Sequence, residues 1–266
     1  MIKQFFKPTS LEEALLIKEK HDNTVTWFAG GAYFNHASYK ARFEKVISLE
    51  GLGLHAIHSK HDQISVGATV TLQKLGDNNL IPKPLKQAAL EAGTRTFRNM
   101  ATVGGDAATG GNRTALAPCL IALQASVVTA EKEEVPLEAY LHEDRKDLIL
   151  KIIIPDQQLN ACIGQFQVKA NAPALVRVAS SATRTDSGDL DTLIIAIGSV
   201  EASPPRRLKD IESLVSKNPS IDRDSLAQSI SRVVEPAEDV LGSSHFKRYI
   251  AGITIADCVL RSLEKE

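Results

Sequence analysis

Aromatic residues are scarce in this chain, 5% of its 266 residues, and it has one tryptophan, two methionines and three cysteines. Cys119, Cys162 and Cys258 are odd in number and widely spaced in apolar surroundings. That argues against a disulfide framework, and it leaves the chain no iron–sulfur or zinc ligand set of its own; the three read as buried thiols in a reducing compartment. An excess of one charge is missing too. With a formal net charge of -1 and no long basic run, the chain lacks the electrostatic footprint of a nucleic-acid or anionic-lipid binder. No apolar run approaches the roughly 20 residues of a membrane helix. The opening MIKQFFKPTSLEEALL has neither the apolar core nor the small-residue cleavage site of a secretory signal. A cytoplasmic protein without membrane insertion is expected.

What is present suits a soluble globular protein of one large or two smaller domains, 43% hydrophobic and 24% charged. Ser10 and Glu13 have the spacing of a capping box, and the helix they open would turn Leu11, Ala14 and Leu15 inward. Strands are expected at 25–29, 46–49 and 64–68, with helical segments from 71 and over 85–91, which gives the first third a β/α texture. The apolar, β-branched LILKIII closed by Pro155 reads as a buried strand. Three consecutive strands follow at 164–169, 174–184 and 190–200, the last two joined by a turn at Asp186-Ser187-Gly188-Asp189. Helices are expected at 208–215, 226–234 and 245–263. Strands followed by helices indicate an α+β unit, with a boundary near residue 160.

Two glycine pairs are the candidates for chemistry, Gly30-Gly31 after a strand and Gly104-Gly105 in RNMATVGGDAATG. Without a Cβ, such a backbone can come within hydrogen-bond distance of a diphosphate. Neither pair fits the dinucleotide or P-loop spacing, and either alone is equally a tight turn. His55, His58 and His61 read as solvated residues of a loop rather than metal ligands, and Lys247-Arg248 as a surface feature. Tyr33 is balanced between stacking on a cofactor and ordinary packing.

Taken in order, the strand ending AGG, RNMATVGGDAATG, PCLIALQASVV, LILKIIIP, FQVKA, IAIGSVEASPPRRLKDIESLV and VVEPAEDVLGSSHFKRYIAG span nearly the whole chain. This series resembles the FAD-binding subunits of the molybdenum hydroxylase family, of the xanthine dehydrogenase, aldehyde oxidase and carbon monoxide dehydrogenase type. The resemblance implies an α+β fold: a two-lobe FAD-binding domain over 1–160, with lobes of about 1–55 and 56–160, then a smaller domain over 161–266 with a three-stranded antiparallel sheet and helices. It also implies that Trp27, Phe28, Ala29, Gly30, Gly31, Ala32, Tyr33 and Phe34 form one wall of the FAD site. Ala101, Thr102, Gly104, Gly105, Asp106 and Thr109 would form the other, with Leu150 packed nearby and Lys169 on the flavin side.

Function follows as an implication of the same resemblance. The chain would take electrons from the iron–sulfur clusters of a small partner subunit and pass them through FAD to NAD or another acceptor. Substrate hydroxylation would belong to a large molybdopterin subunit, and without these partners the chain would be inactive on substrate. Two departures stand out: Asp106 replaces the family's Asn, and Ala115 falls where the family has an aspartate, with Arg113 available as a substitute charge. They motivate an alternative, a flavin-free assembly or scaffold subunit that keeps the fold. A stand-alone FAD oxidase would need a general base in a substrate pocket, and no histidine or acid pair suggests one.

Overall fold

The computed structural model describes residues 2–21, 24–32, 34, 44–109, 114–131, 134–143, 147–155, 159–169 and 172–264. Strand β1 (Gln4–Phe6), helix α1 (Leu11–His21) and strands β2 (Val25–Phe28) and β3 (Lys45–Ser48) form the N-terminal lobe. The sheet is parallel in the order β1-β3-β2, with Gln4 and Val25 both paired to Lys45. Parallel strands need a crossover, and α1 provides the one between β1 and β2. The Ser10 hydroxyl caps α1 by accepting from the Glu13 amide at 3.1 Å. The Glu13 carboxylate, however, reaches the amide of Thr9 at 2.9 Å, one residue before the expected partner. The inward face is also rotated from expectation. Ala14 is fully buried and Ile17 joins it in the lobe's small core, whereas Leu15 is 36% exposed.

The middle of the chain is built around an antiparallel sheet of β4 (Ile57–Lys60), β5 (Gln63–Gly67), β6 (Ser126–Thr129), β7 (Glu134–Pro136) and β8 (Ile149–Pro155), in the order β4-β5-β8-β6-β7. β8 is the LILKIII run. It lies at the centre because Ile149, Ile152 and Ile154 can all be buried there. Around the sheet pack α2 (Leu72–Asp77), α3 (Lys83–Leu90), α4 (Arg95–Met100), α5 (Val103–Thr109), α6 (Ala117–Ala122) and α7 (Leu137–His142). His58 falls within β4 rather than in a loop; it, His55 and His61 are exposed. Among the described residues no three potential metal ligands assemble.

The remainder forms an antiparallel sheet of β9 (Asn160–Phe166), β10 (Val176–Arg184), β11 (Leu190–Gly198) and β12 (Arg206–Arg207), in the order β12-β11-β10-β9. The three expected strands are therefore joined by a two-residue fourth at the edge. Gly188, at a φ of 86°, allows the turn between β10 and β11. Helices α8 (Lys209–Lys217), α9 (Arg223–Val233) and α10 (Ser244–Leu263) complete the unit. They cover a core that includes Ile195, Ile197, Leu226, Ile230, Ile255 and Val259.

This unit shares apolar surface with the middle of the chain. Ile163, Ala179, Ile194 and Ala196 belong to the same core as α6, and the Ser181 hydroxyl donates to the Ala122 carbonyl at 2.6 Å. Among the described residues no helix is long and apolar enough to cross a membrane.

Candidate functional site

The first glycine segment leaves β2 with Trp27, Phe28, Ala29, Gly30, Gly31, Ala32 and Phe34 all half-buried. Tyr33 lies outside the described residues. The Phe28 ring stands edge-on to Phe5 at 5.5 Å and to Phe34 at 5.8 Å, an apolar wall beside the turn. Gly31 has a φ of 71°, the left-handed conformation that side chains disfavour.

The second segment is organised differently from the sequence expectation. Ala101 and Thr102 are buried where Thr102 bridges to Thr71. Their neighbours' amides are already engaged: Val103 donates to the Val70 carbonyl at 2.8 Å, and Gly104 to that of Ala68 at 2.9 Å. Gly105 donates to the Thr102 hydroxyl oxygen at 3.2 Å. The Gly104 and Gly105 amides are thus already bonded within the chain. What Gly104 contributes is its missing side chain, since a Cβ there would lie 2.5 Å from the Cβ of Ala68. Thr109 likewise turns its hydroxyl inward along the helix, donating to the Gly105 carbonyl at 2.7 Å.

Asp106 is turned into the protein interior. It is fully buried, and its two carboxylate oxygens accept from the amide of Ala115 at 2.9 and 3.1 Å and from that of Leu116 at 2.9 Å. Ala115, where the family's aspartate was expected, is thus a partner of Asp106 through its backbone. Arg113 lies outside the described residues.

Two residues without an assigned role bring the pieces together. A Cβ on Gly30 would lie 2.7 Å from the carbonyl carbon of Met100 and closer still to its oxygen, so the two glycine segments meet backbone to backbone. Ala68 sits between Gly104 and the β8 strand, and its amide donates to the Leu150 carbonyl at 2.9 Å. Arg98 sets the angle of α4: its guanidinium bonds Gln73 at 2.9 Å and the carbonyls of Leu90 and Gly93 at 2.9 and 2.6 Å. The sequence reading singled out none of Met100, Ala68 and Arg98, although Arg98 and Met100 fall within the RNMATVGGDAATG segment. Lys169 is exposed on the turn after β9, where its carbonyl accepts from the Ala172 amide at 2.9 Å. Cys119, on α6, offers no thiolate, because burial pushes its thiol far above the ordinary range.

The chain as a whole is similar to known proteins. Residues 1–157 match the family described as the FAD binding domain in molybdopterin dehydrogenase. The uncharacterized protein YgfM of Escherichia coli (strain K12) is 33% identical over 257 residues, covering 97% of this chain and 95% of that protein. The fold is shared with carbon monoxide dehydrogenase from Hydrogenophaga pseudoflava, at a TM-score of 0.88 and 20% identity over 98% of this chain and 97% of that one. It is shared as well with quinoline 2-oxidoreductase from Pseudomonas putida 86, at a TM-score of 0.85 and 18% identity over 99% and 97%. The chain belongs to the family of FAD-binding domains of molybdopterin dehydrogenases, whose cofactor is FAD.

Proposed function

We propose that this chain is the electron-transfer subunit of a molybdenum hydroxylase, linking the iron–sulfur clusters of a small partner subunit to NAD or another acceptor, with the organic substrate handled by a molybdopterin subunit. The observation that supports this reading is the close approach of Gly30 to Met100, which brings together the two segments expected to hold the cofactor. The residues present fit FAD: Gly31 holds a left-handed φ, a Cβ at Gly30 would meet the Met100 backbone, and Phe28 and Phe34 give a half-buried aromatic wall.

When bound, FAD supplies the capacity to take up and release electrons singly or in pairs. The chain's own part is to bind and to exclude water. The Gly30 and Gly31 amides would hold diphosphate oxygens, and the aromatic wall would cover apolar cofactor surface. Leu150, whose carbonyl accepts from the Ala68 amide, would pack behind the second segment. The buried, protonated Cys119 and Cys258 leave cluster ligation to a partner chain and support a reducing, cytoplasmic setting. The scaffold alternative drew on Asp106 and on Ala115 in place of the family's aspartate; the Asp106 carboxylate bonds the Ala115 and Leu116 amides, and the flavin content of the purified chain decides between the two readings.

Purification from the native host followed by cofactor analysis tests the reading. Flavin on this chain, copurifying with an iron-containing small chain and a molybdenum-containing large one, is the expected result. A colourless lone chain that takes up no added FAD contradicts it.

A further inference from the structure

We propose that Asp106 is a positioning residue: its carboxylate locks the glycine-bearing helix α5 to the start of α6, and thereby sets the cofactor-facing segment without meeting the cofactor. The inference rests on the FAD reading above and assigns a role to a residue whose direction the sequence left open.

Helix α6 begins without a side-chain cap of its own, at Leu116. Amides at such a helix start have no intrahelical partner, and leaving them unbonded inside the protein is costly. Asp106, from a different helix, instead accepts three bonds from the consecutive amides of Ala115 and Leu116, the two residues that lead into α6. A carboxylate suits this task because both of its oxygens accept, whereas an asparagine would turn one NH2 donor toward an N–H group. Full burial strengthens bonds to a charged acceptor.

Both ends of the lock are anchored. On one side, Gly104 holds α5 against Ala68 by its amide and its absent side chain. On the other, the Ala122 carbonyl at the end of α6 accepts from Ser181 of β10, and Pro118 packs against Gly198 of β11. Asp106 is thus the polar link between the second cofactor segment and the C-terminal sheet. A shift of α5 relative to α6 would break these bonds.

Removing its charge separates the two roles by sign. An Asp106 facing the diphosphate would repel it, and Asp106→Asn would tighten FAD binding, most at low salt. As a lock, the same substitution weakens binding. The experiment is a fluorescence titration of FAD into flavin-free wild-type, Asp106→Asn and Asp106→Ala chains, with hydrogen exchange followed on the same samples across residues 114–123. About tenfold weaker FAD binding for Asp106→Asn is expected, and more for Asp106→Ala, with faster exchange over 114–123 and unchanged exchange in β5 and β8. Asp106→Asn keeps the side chain's shape and one accepting oxygen, so it remains informative if Asp106→Ala fails to fold. Unchanged or tighter FAD binding by Asp106→Asn, or unchanged exchange over 114–123, overturns the proposal. A wild-type chain that binds no FAD overturns the FAD reading itself, and this proposal with it.

Discussion

The Met100 carbonyl occupies the space that a β-carbon on Gly30 would need, its carbon 2.7 Å from that position and its oxygen nearer. Because the obstacle is backbone, no rotamer change relieves it. Gly30→Ala is expected to cost about 1–3 kcal/mol of stability as an overpacked site and to strip FAD from the chain. Gly105→Ala meets only the Thr102 hydroxyl oxygen, at 2.8 Å, and should cost clearly less. Thermal unfolding and flavin content of the two variants check the difference, and equal effects would contradict this steric account.

Gly104 is constrained by Ala68 in the same way, at 2.5 Å from its Cβ and 3.0 Å from its Cα and carbonyl oxygen. Gly104→Ala should therefore destabilise the chain, and Ala68→Gly in the same molecule should recover part of the loss, since the backbone atoms of residue 68 remain. A double-mutant cycle measures the coupling. Additive effects would show that the two residues do not press on each other.

Much of the scaffold was legible in the sequence for reasons of length and pattern. β8, β10, β11 and α10 are long, and strongly β-branched or amphipathic, so their periodicity survives tertiary packing. Helices α4 to α7 each have only six or seven residues, fewer than two turns, so their sequence pattern is weak and their existence depends on contacts; α2, equally short, was legible from the segment that opens at Thr71. β9 runs 160–166 rather than 164–169. Its extent follows the pairing of Ala182 with Asn160 and Val176 with Phe166, not its own weak strand formers. At the site, the glycines were visible as glycines, yet what they accommodate was not. Met100 and Ala68 act through backbone atoms brought close by the fold. The direction in which Asp106 turns its carboxylate is likewise a tertiary fact.

A buried ion pair ties the C-terminal unit together. Glu212 is 6% exposed and accepts from the Ile195 amide at 2.8 Å and from Arg207 at 2.7 Å. Arg207→Ala would strand that carboxylate. A loss of about 2–3 kcal/mol is expected, below the full figure for a buried pair because the Arg207 side chain is 30% exposed. Denaturant unfolding checks it, and a change under 0.5 kcal/mol, as at an ordinary surface site, would contradict it.

The neighbouring pair, Arg206 with Glu201, makes a pH prediction. Burial raises the Glu201 carboxyl, but bonds from the Arg206 guanidinium and the Glu235 amide outweigh it and leave the group below its ordinary value of 4.5. A carboxylate held low in the folded state contributes stability that is fully present above the unfolded value and lost as pH falls through the folded one. The wild type should lose this contribution progressively below pH about 4.5, and Glu201→Gln should remove it at all pH values, flattening that part of the profile. Superimposable acid-unfolding profiles, with no destabilisation of Glu201→Gln at neutral pH, would refute the assignment.

Burial also pushes the Cys258 thiol up to about 12 and that of Cys119 higher still. Neither should react with an alkylating reagent at pH 8 in the native protein, and both should react once denaturant opens the core. Mass spectrometry of labelled peptides reads this directly, and native-state labelling of Cys119 would contradict the placement of α6.

The most direct test of the central claim is a fluorescence titration of the flavin-free chain, alone, with FAD. Saturable binding of one FAD per chain, lost in Gly30→Ala, is the result predicted from the Gly30–Met100 junction. A folded chain that shows no saturable binding, or that binds FAD equally well with alanine at position 30, contradicts it.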